Sequence, residues 1–376
     1  MNKTLKQSVL DIASREMGPF YFYDRSVIRE NCRSFSSIPY ENKLITFASM
    51  ANASRPFLRT VLEEGFSIFV NSHGHLDIAL ELGFPGKDIV FTSSGMDEES
   101  MTRVAKMGAI LNLDSLGQVK VWRSLFPGKP VGIRCNIGDR VEAKKTRGGY
   151  FLGRSSRLGL NLEEIEALDD KSSINGLHLY LGTDIIDLEY FQVCYSIVAD
   201  LASMFPNLEY LDFGGGFGVT TEAGQQFDMD AYGAAVTRIM EEVSKNHGRS
   251  IRLILEPGRI IGGESAWFVT RVTDVKQRPE MQFVGVNAST AQFTRPLMYP
   301  DDAYHPVTLL SDDRGGSKLL SSIYGCSTYS RDFFSKDLEL PPMQKGDLIA
   351  FGHAGSYCSS SYTTFLGFAP AVEHYQ

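Results

Sequence analysis

The sequence predicts an α/β protein, a closed (β/α)8 TIM barrel followed by a C-terminal, mostly β domain. Three observations carry this. Eight short, apolar, β-rich runs succeed one another between Lys43 and Leu255. The first five begin about 22 residues apart, the length of a strand plus a crossover helix. After Arg259 the helical periodicity stops. An open doubly wound sheet is the alternative that the same runs allow.

In chain order, Pro19–Tyr23 reads as a strand outside the eight-fold count, which assigns it to the later β domain. The barrel strands are expected at Lys43–Ala48, Phe66–Val70, Asp88–Thr92, Ala109–Leu113, Val131–Cys135, Gly176–Leu181, Glu209–Phe213 and Ile251–Leu255. Between them apolar residues recur at helical spacing, as Phe57, Val61 and Leu62 do. Trp267–Val275, Gln282–Val286, Val307–Leu310 and Asp347–Phe351 alternate apolar and polar residues between Pro and Gly, as strands do. The expected domains are therefore residues 25–262, the barrel, and residues 1–24 with 263–376, a β-sandwich or β-barrel-like domain.

Charge narrows the partners. Acidic residues outnumber basic ones by 45 to 37, a net charge of −8, and there is no basic tail, which argues against binding nucleic acid through its phosphates. No apolar run approaches the roughly 18 residues that span a bilayer, and Met1–Glu16 lacks the apolar core of a signal peptide, so a cytoplasmic protein is expected without membrane partners. The five cysteines are an odd number without a CxxC pair, indicating free thiols rather than a disulfide framework or zinc ribbon.

Barrels of this kind carry their sites at the C-terminal ends of the strands. Those positions are polar here: Asn52, Asn71, Ser72, His73, Ser93, Ser94, Asp114, Ser115, Asn136, Tyr180, Thr183 and Glu256. The run Gly214-Gly215-Gly216-Phe217-Gly218 after the seventh strand suits phosphate, because glycine lets backbone N–H groups approach its oxygens; a tight turn is the alternative. Glu256-Pro257-Gly258-Arg259 sets a carboxylate at the barrel mouth and a guanidinium beside the glycines; a structural salt bridge would use the same pair. His73 and His75, two histidines at i, i+2 with no third ligand nearby, do not make a metal site, and none is expected.

These motifs at this interval resemble the fold type III pyridoxal-phosphate (PLP) decarboxylases, the ornithine, diaminopimelate and arginine decarboxylase group, over nearly the whole chain. Pro19-Phe20-Tyr21-Phe22-Tyr23-Asp24 is similar to the family's opening strand, Phe47-Ala48-Ser49-Met50-Ala51-Asn52 to its cofactor-lysine strand, and Asn112-Leu113-Asp114-Ser115 to its fourth strand. Gly176-Leu177-His178-Leu179-Tyr180-Leu181-Gly182-Thr183 resembles its Gly-Leu-His-x-His-Ile-Gly-Ser segment. The resemblance implies an alanine-racemase-like barrel and a PLP-dependent amino-acid decarboxylase working as a homodimer. Gly214, Gly215, Gly216 and Arg259 would hold the cofactor phosphate, Tyr357 would add a hydroxyl, and Thr183 belongs to the same cofactor-binding set. Glu256 would keep the pyridinium nitrogen protonated. Cys326 would handle the proton of the carbanion across a dimer interface, and Arg295 with Tyr299 would contact substrate.

The family pattern is broken where it matters most. Met50 stands at the position of the Schiff-base lysine, and a thioether cannot form an imine. Lys43 lies seven residues back on the same strand, an odd offset that turns it to the opposite face. Tyr180 replaces an imidazole that stacks on the cofactor, His75 replaces a glutamate, and His353 an aspartate. A non-covalent PLP is therefore expected, with a catalytically silent paralogue that binds PLP or a partner subunit as the alternative to an enzyme. The segment Arg140–Arg157 carries Arg140, Lys144, Lys145, Arg147, Arg154 and Arg157 against one acid, Glu142, and could attract a carboxylate-bearing substrate. With Arg295 it favours an amino acid with an additional acid group, although a basic distal group stays open.

Overall fold

The computed structural model describes residues 1–138, 140–142, 151–300, 303–311, 315 and 317–376. The chain divides into two compact units, Met1–Val27 with Gly262–Gln376, and Ile28–Ile261. No helix among the described residues is long and apolar enough to cross a membrane.

Strand β1 (Phe20–Tyr23) falls in the first unit. The second is a closed parallel barrel of β2 (Lys43–Ala48), β3 (Ser67–Val70), β4 (Val90–Thr92), β5 (Ile110–Leu113), β6 (Val131–Arg134), β7 (Ile174–His178), β8 (Tyr210–Asp212) and β9 (Arg252–Leu255). Closure runs from Lys43 opposite Leu253 to Ile45 opposite Leu255, so the open sheet is excluded. Strand β7 lies further back than the run Gly176–Leu181 suggests. Leu179 still donates its N–H to the Asp212 carbonyl, but Leu181 and Gly182 lead into a loop.

Inside the barrel Ala48, Phe69, Val90, Tyr210 and Ile254 form one cluster. Each large side chain so enclosed contributes about 1.5–3 kcal/mol relative to exposure. Outside, the helices bury one face: in Arg55–Glu63, Phe57, Leu58 and Val61 turn inward while Arg55 and Arg59 stay out. Helix His73–Leu82 ends where Gly83 takes a φ of 92°, a left-handed cap that glycine adopts without strain.

The other unit is a single eight-stranded sheet. It runs β12 (Val307–Leu309), β15 (Leu348–Phe351), β10 (Ala266–Gln277), β11 (Met281–Val286), β13 (Leu319–Tyr324), β14 (Phe333–Leu340), while β1 pairs with β10 and with β16 (Val372–Tyr375). The long β10 serves two sets of partners. Its first half pairs with β1 and β15 and its second with β11, and the register shifts between Val272 and Asp274. Phe268, Phe293, Phe334 and Phe351 stack in this unit's core. The N-terminal helix Lys3–Ala13, capped by Asn2, packs Val9 and Ala13 against Phe20 and Phe22.

Candidate functional site

The polar strand ends divide into two groups. Ser72 and Ser115 are helix caps, their hydroxyls accepting from the N–H of His75 and Gln118. They anchor helices rather than face a ligand. His73 is held by Ser100 at 2.8 Å and by Arg103 at 3.2 Å, while His75 meets the Ser49 hydroxyl at 2.9 Å and burial lowers its pKa. The two rings thus serve different partners.

A second set of polar side chains, Glu256 from the strand ends with others from within the strands, is linked across the barrel, while Asn136 accepts from the N–H groups of Gly138 and Gly153 and Asn52 from that of Ser54. Tyr210 of β8 donates its hydroxyl to Asn112 Oδ1 of β5 at 2.8 Å, and Asn112 Nδ2 donates to Asp212 Oδ2 at 3.2 Å. Asp212 also accepts the Gly214 N–H at 3.0 Å and shares a hydrogen bond with Glu256. His178 Nε2 lies 3.6 Å from Glu256 Oε2. All of these groups are buried. Burial pushes Glu256 up to about 8, a rise partly offset by Asp212 and by the Arg134 guanidinium. Burial and Glu256 raise Asp212 as well, so the two carboxyls hold a proton between them. His178 is brought down to about 4 by burial and is neutral. One atom of each of His178, Asp212 and Glu256 lies within 4.8 Å of the others. A cation there would first have to displace the shared proton.

Glu256 Oε1 is buried without a hydrogen-bond partner among the described residues. An orphaned carboxylate oxygen is costly unless a donor is brought to it. A ligand with a protonated ring nitrogen would supply such a donor.

Beside it the glycine run is pressed between two backbones. A Cβ at Gly214, where φ is 62°, would meet the Leu179 carbonyl oxygen at 2.3 Å, and one at Gly215 would meet that of Glu256 at 2.5 Å. These glycines are therefore required by the protein's own packing, a reason that spacing alone does not reveal. The N–H groups of Gly215 and Gly216 make no backbone hydrogen bond among the described residues. Arg259 follows after Pro257 and Gly258 in a short turn of helix, buried, its Nε 2.5 Å from Asp184 Oδ1. Thr183 precedes Asp184 and is half-buried.

Tyr180 flanks the same glycines, its ring carbons 3.4 Å and 3.7 Å from where a Cβ of Gly214 or Gly215 would stand. Phe151 meets its ring edge-on and the Arg134 guanidinium lies 5.9 Å from its centroid. Arg134 in turn stands 3.8 Å from Asp114, which accepts the Gly159 N–H at 3.0 Å. Arg134 and Asp212 lie within strands β6 and β8, not at the strand ends where the sequence pattern points to a site. The signal available was polar residues interrupting runs as apolar as Val131–Cys135 and Glu209–Phe213.

Met50 lies in the turn after β2, 40% exposed, with the Asn71 amide 3.9 Å from its sulfur. Lys43 is no substitute, since its ammonium donates to the carbonyls of Ile38 and Tyr40 before the strand begins. Lys144, Lys145 and Arg147 lie outside the described residues; Arg140 stands 3.8 Å from Glu166.

The remaining candidates belong to the β unit. Cys326 is exposed, in a loop fastened by Asp332, which accepts from Ser289, Thr290 and Ser327. Burial and then Asp332 raise its pKa, so it is a neutral thiol. Arg295 is enclosed, 2% exposed, with its guanidinium 5.4 Å from the Tyr299 ring centroid. Tyr357 and His353 both adopt left-handed backbone, at φ of 56° and 52°. His353 stands 3.9 Å from Glu264.

A barrel offering a buried carboxylate at one strand end and a glycine–arginine anion seat at the next fits a phosphorylated heteroaromatic cofactor. The chain belongs to the pyridoxal-dependent decarboxylases: the family model for their pyridoxal binding domain matches residues 25–263. It is 27% identical over 367 residues to the diaminopimelate decarboxylase of Methanothermobacter thermautotrophicus, covering 93% of this chain and 85% of that protein. It is 26% identical over 375 residues to that of Escherichia coli K12, covering 92% and 86%. Among solved structures, the Helicobacter pylori diaminopimelate decarboxylase complexed with L-lysine matches with a TM-score of 0.86 at 24% identity, over 98% of this chain and 94% of that one. The Vibrio vulnificus lysine/ornithine decarboxylase complexed with putrescine gives 0.85 at 18%, over 100% and 99%. At these identities the structural matches speak for the fold.

Proposed function

We propose that this protein binds PLP without a covalent anchor and decarboxylates an amino acid whose side chain ends in a second carboxylate or a basic group, as a cytoplasmic homodimer. The observation that carries the proposal is Glu256, buried, with one oxygen lacking a partner and its pKa raised to about 8. When bound, the cofactor supplies an electron sink for the bond that loses CO2. Glu256 keeps a proton at the ring nitrogen, and Asp212, itself held by Asn112, orients the Glu256 carboxyl. Arg259 and the N–H groups of Gly215 and Gly216 receive the phosphate. Tyr180 offers its ring as a packing surface beside the glycines, and Cys326 holds a proton on a neutral thiol. Met50 alters the attachment of the cofactor and leaves this ring-nitrogen chemistry in place. The diaminopimelate decarboxylases among the relatives support a substrate with charged groups at both ends. They also make the silent paralogue the less favoured reading.

The test is a PLP titration followed by absorbance, with and without borohydride, and then CO2 release from a panel of dicarboxylic and basic amino acids. Binding that reverses on dialysis, leaves no phosphopyridoxyl adduct and weakens in Glu256→Gln is expected. A covalent adduct on the parent chain would show that a lysine substitutes for Met50. Equal binding by Glu256→Gln would remove the assignment of the ring nitrogen.

A further inference from the structure

The anion seat contains its own anion. Asp184 accepts from Arg259 Nε at 2.5 Å, with the two side chains 9% and 4% exposed. Its backbone cannot easily withdraw. The next residue, Ile185, donates its N–H to the Gly216 carbonyl at 2.9 Å and accepts that of Gly218 at 2.9 Å, which ties the Asp184 loop to the glycine run on both sides. Gly218 lies so close that a Cβ there would come within 3.0 Å of the Asp184 carbonyl carbon. Asp184 itself adopts a φ of 55°, a conformation that aspartate and asparagine tolerate better than most side chains. The helix that follows does not need it, because Asp187 is its cap and accepts from the Tyr190 N–H.

We infer that Asp184 sets the affinity of the phosphate seat by competing with the ligand's phosphate for Arg259. This rests on the reading that Gly215, Gly216 and Arg259 receive the phosphate of PLP. With Asp184 ionised, the formal charges of the pair cancel, and a phosphate bearing about −1.5 to −2 enters a seat where attraction by the guanidinium is offset by repulsion from the carboxylate. The N–H groups of Gly215 and Gly216 add an attraction that Asp184 does not cancel. A chain whose lysine position is a methionine has no covalent tether to compensate, so Asp184 makes cofactor exchange easy.

The experiment compares the full-length parent with Asp184→Asn, Asp184→Gly and Glu256→Gln, titrated calorimetrically with PLP, pyridoxal and inorganic phosphate. Asparagine keeps the shape and an acceptor for Arg259 Nε, and glycine suits the positive φ, so at least one of the two uncharged variants retains the loop. Removing the charge should tighten PLP and inorganic phosphate by about tenfold or more while pyridoxal, which has no phosphate, changes by less than about twofold. Phosphate and PLP affinities that stay the same or fall in both variants overturn the inference and leave Asp184 as a structural partner of Arg259. The Glu256→Gln arm isolates the cofactor reading: it should weaken PLP and pyridoxal while sparing inorganic phosphate. If the parent ignores PLP but the Asp184 variants gain inorganic phosphate, the inference stands and the cofactor reading falls. If no chain binds either, both fall.

Discussion

Tyr210 occupies space that Gly176 leaves for it. A Cβ on Gly176 would stand 1.9 Å from Tyr210 Cζ, and one on Gly132 would stand 2.0 Å from its hydroxyl. The ring therefore lies over the paired strands β6 and β7 at Gly132 and Gly176 and reaches Asn112, the first link to Asp212 and Glu256.

Gly176→Ala should consequently destabilise by about 3 kcal/mol or more, because a rigid buried ring has nowhere to retreat. Thermal unfolding followed by circular dichroism reads this as a loss of several degrees. Combining it with Tyr210→Ala should recover part of the loss, since the two changes share one space. Equal melting of Gly176→Ala and the parent would show that the ring moves aside freely.

The raised pKa of Glu256 predicts a pH dependence of the cofactor-free protein. A carboxyl whose folded pKa exceeds its unfolded one contributes stability that is full below the ordinary value of about 4.3 and lost as pH rises through about 8. His178, depressed to about 4, acts oppositely, losing stability as pH falls below about 6.5. Between about pH 6.5 and 8 His178 no longer contributes, and the coupled carboxyls of Glu256 and Asp212 set the slope. There the parent should lose stability, by up to a few kcal/mol, and Glu256→Gln should lose clearly less. Parallel melting curves for the two chains would mean that Glu256 is already ionised.

Met50→Lys should be tolerated, with a stability change within about 0.5 kcal/mol, because the side chain it replaces is 40% exposed and an ammonium there stays hydrated. With PLP, borohydride should then fix phosphopyridoxyl mass on the peptide carrying the substitution. CO2 release from a dicarboxylic or basic amino acid should exceed that of the parent. An adduct without any CO2 release across the panel would mean that Tyr180, His75 and His353 define a different reaction.

Cys326 is exposed while Cys32, Cys135, Cys194 and Cys358 are buried, so iodoacetamide should modify Cys326 first. The reaction at neutral pH should be slower than with a free cysteine peptide, since partial burial and Asp332 hold the thiol protonated. Asp332→Asn should speed it. If the proposed homodimer covers the Cys326 loop, alkylation should slow as protein concentration rises, in step with sedimentation. A monomer at every concentration would contradict the dimer.

Much of the barrel was legible because parallel strands buried on both faces read as continuous apolar runs at a regular interval. Strand β7 misled, since Leu179 and Leu181 extend the apolar pattern into a segment that has already left the sheet. Strand β14 gave no signal: Lys336, Asp337 and Glu339 are polar, and Asp337 takes a φ of 56°. Glu256 and Arg259 were legible through their place beside the glycine run. The pairing of Arg259 with Asp184 was not, because 75 residues separate them and a loop aspartate carries no periodic signature.

Closure of the barrel through β2 and β9 also has a consequence during synthesis. Lys43–Ala48 is made early, yet its partner on one side, Arg252–Leu255, emerges 209 residues later. At about 5–20 residues per second this strand keeps one unpaired edge for about 10–40 s. Over that interval its free N–H and C=O groups can template pairing with another nascent chain. A shielding chaperone, or retention on the ribosome until Glu256 has been released, would therefore raise the yield of folded protein without changing the stability of the finished fold.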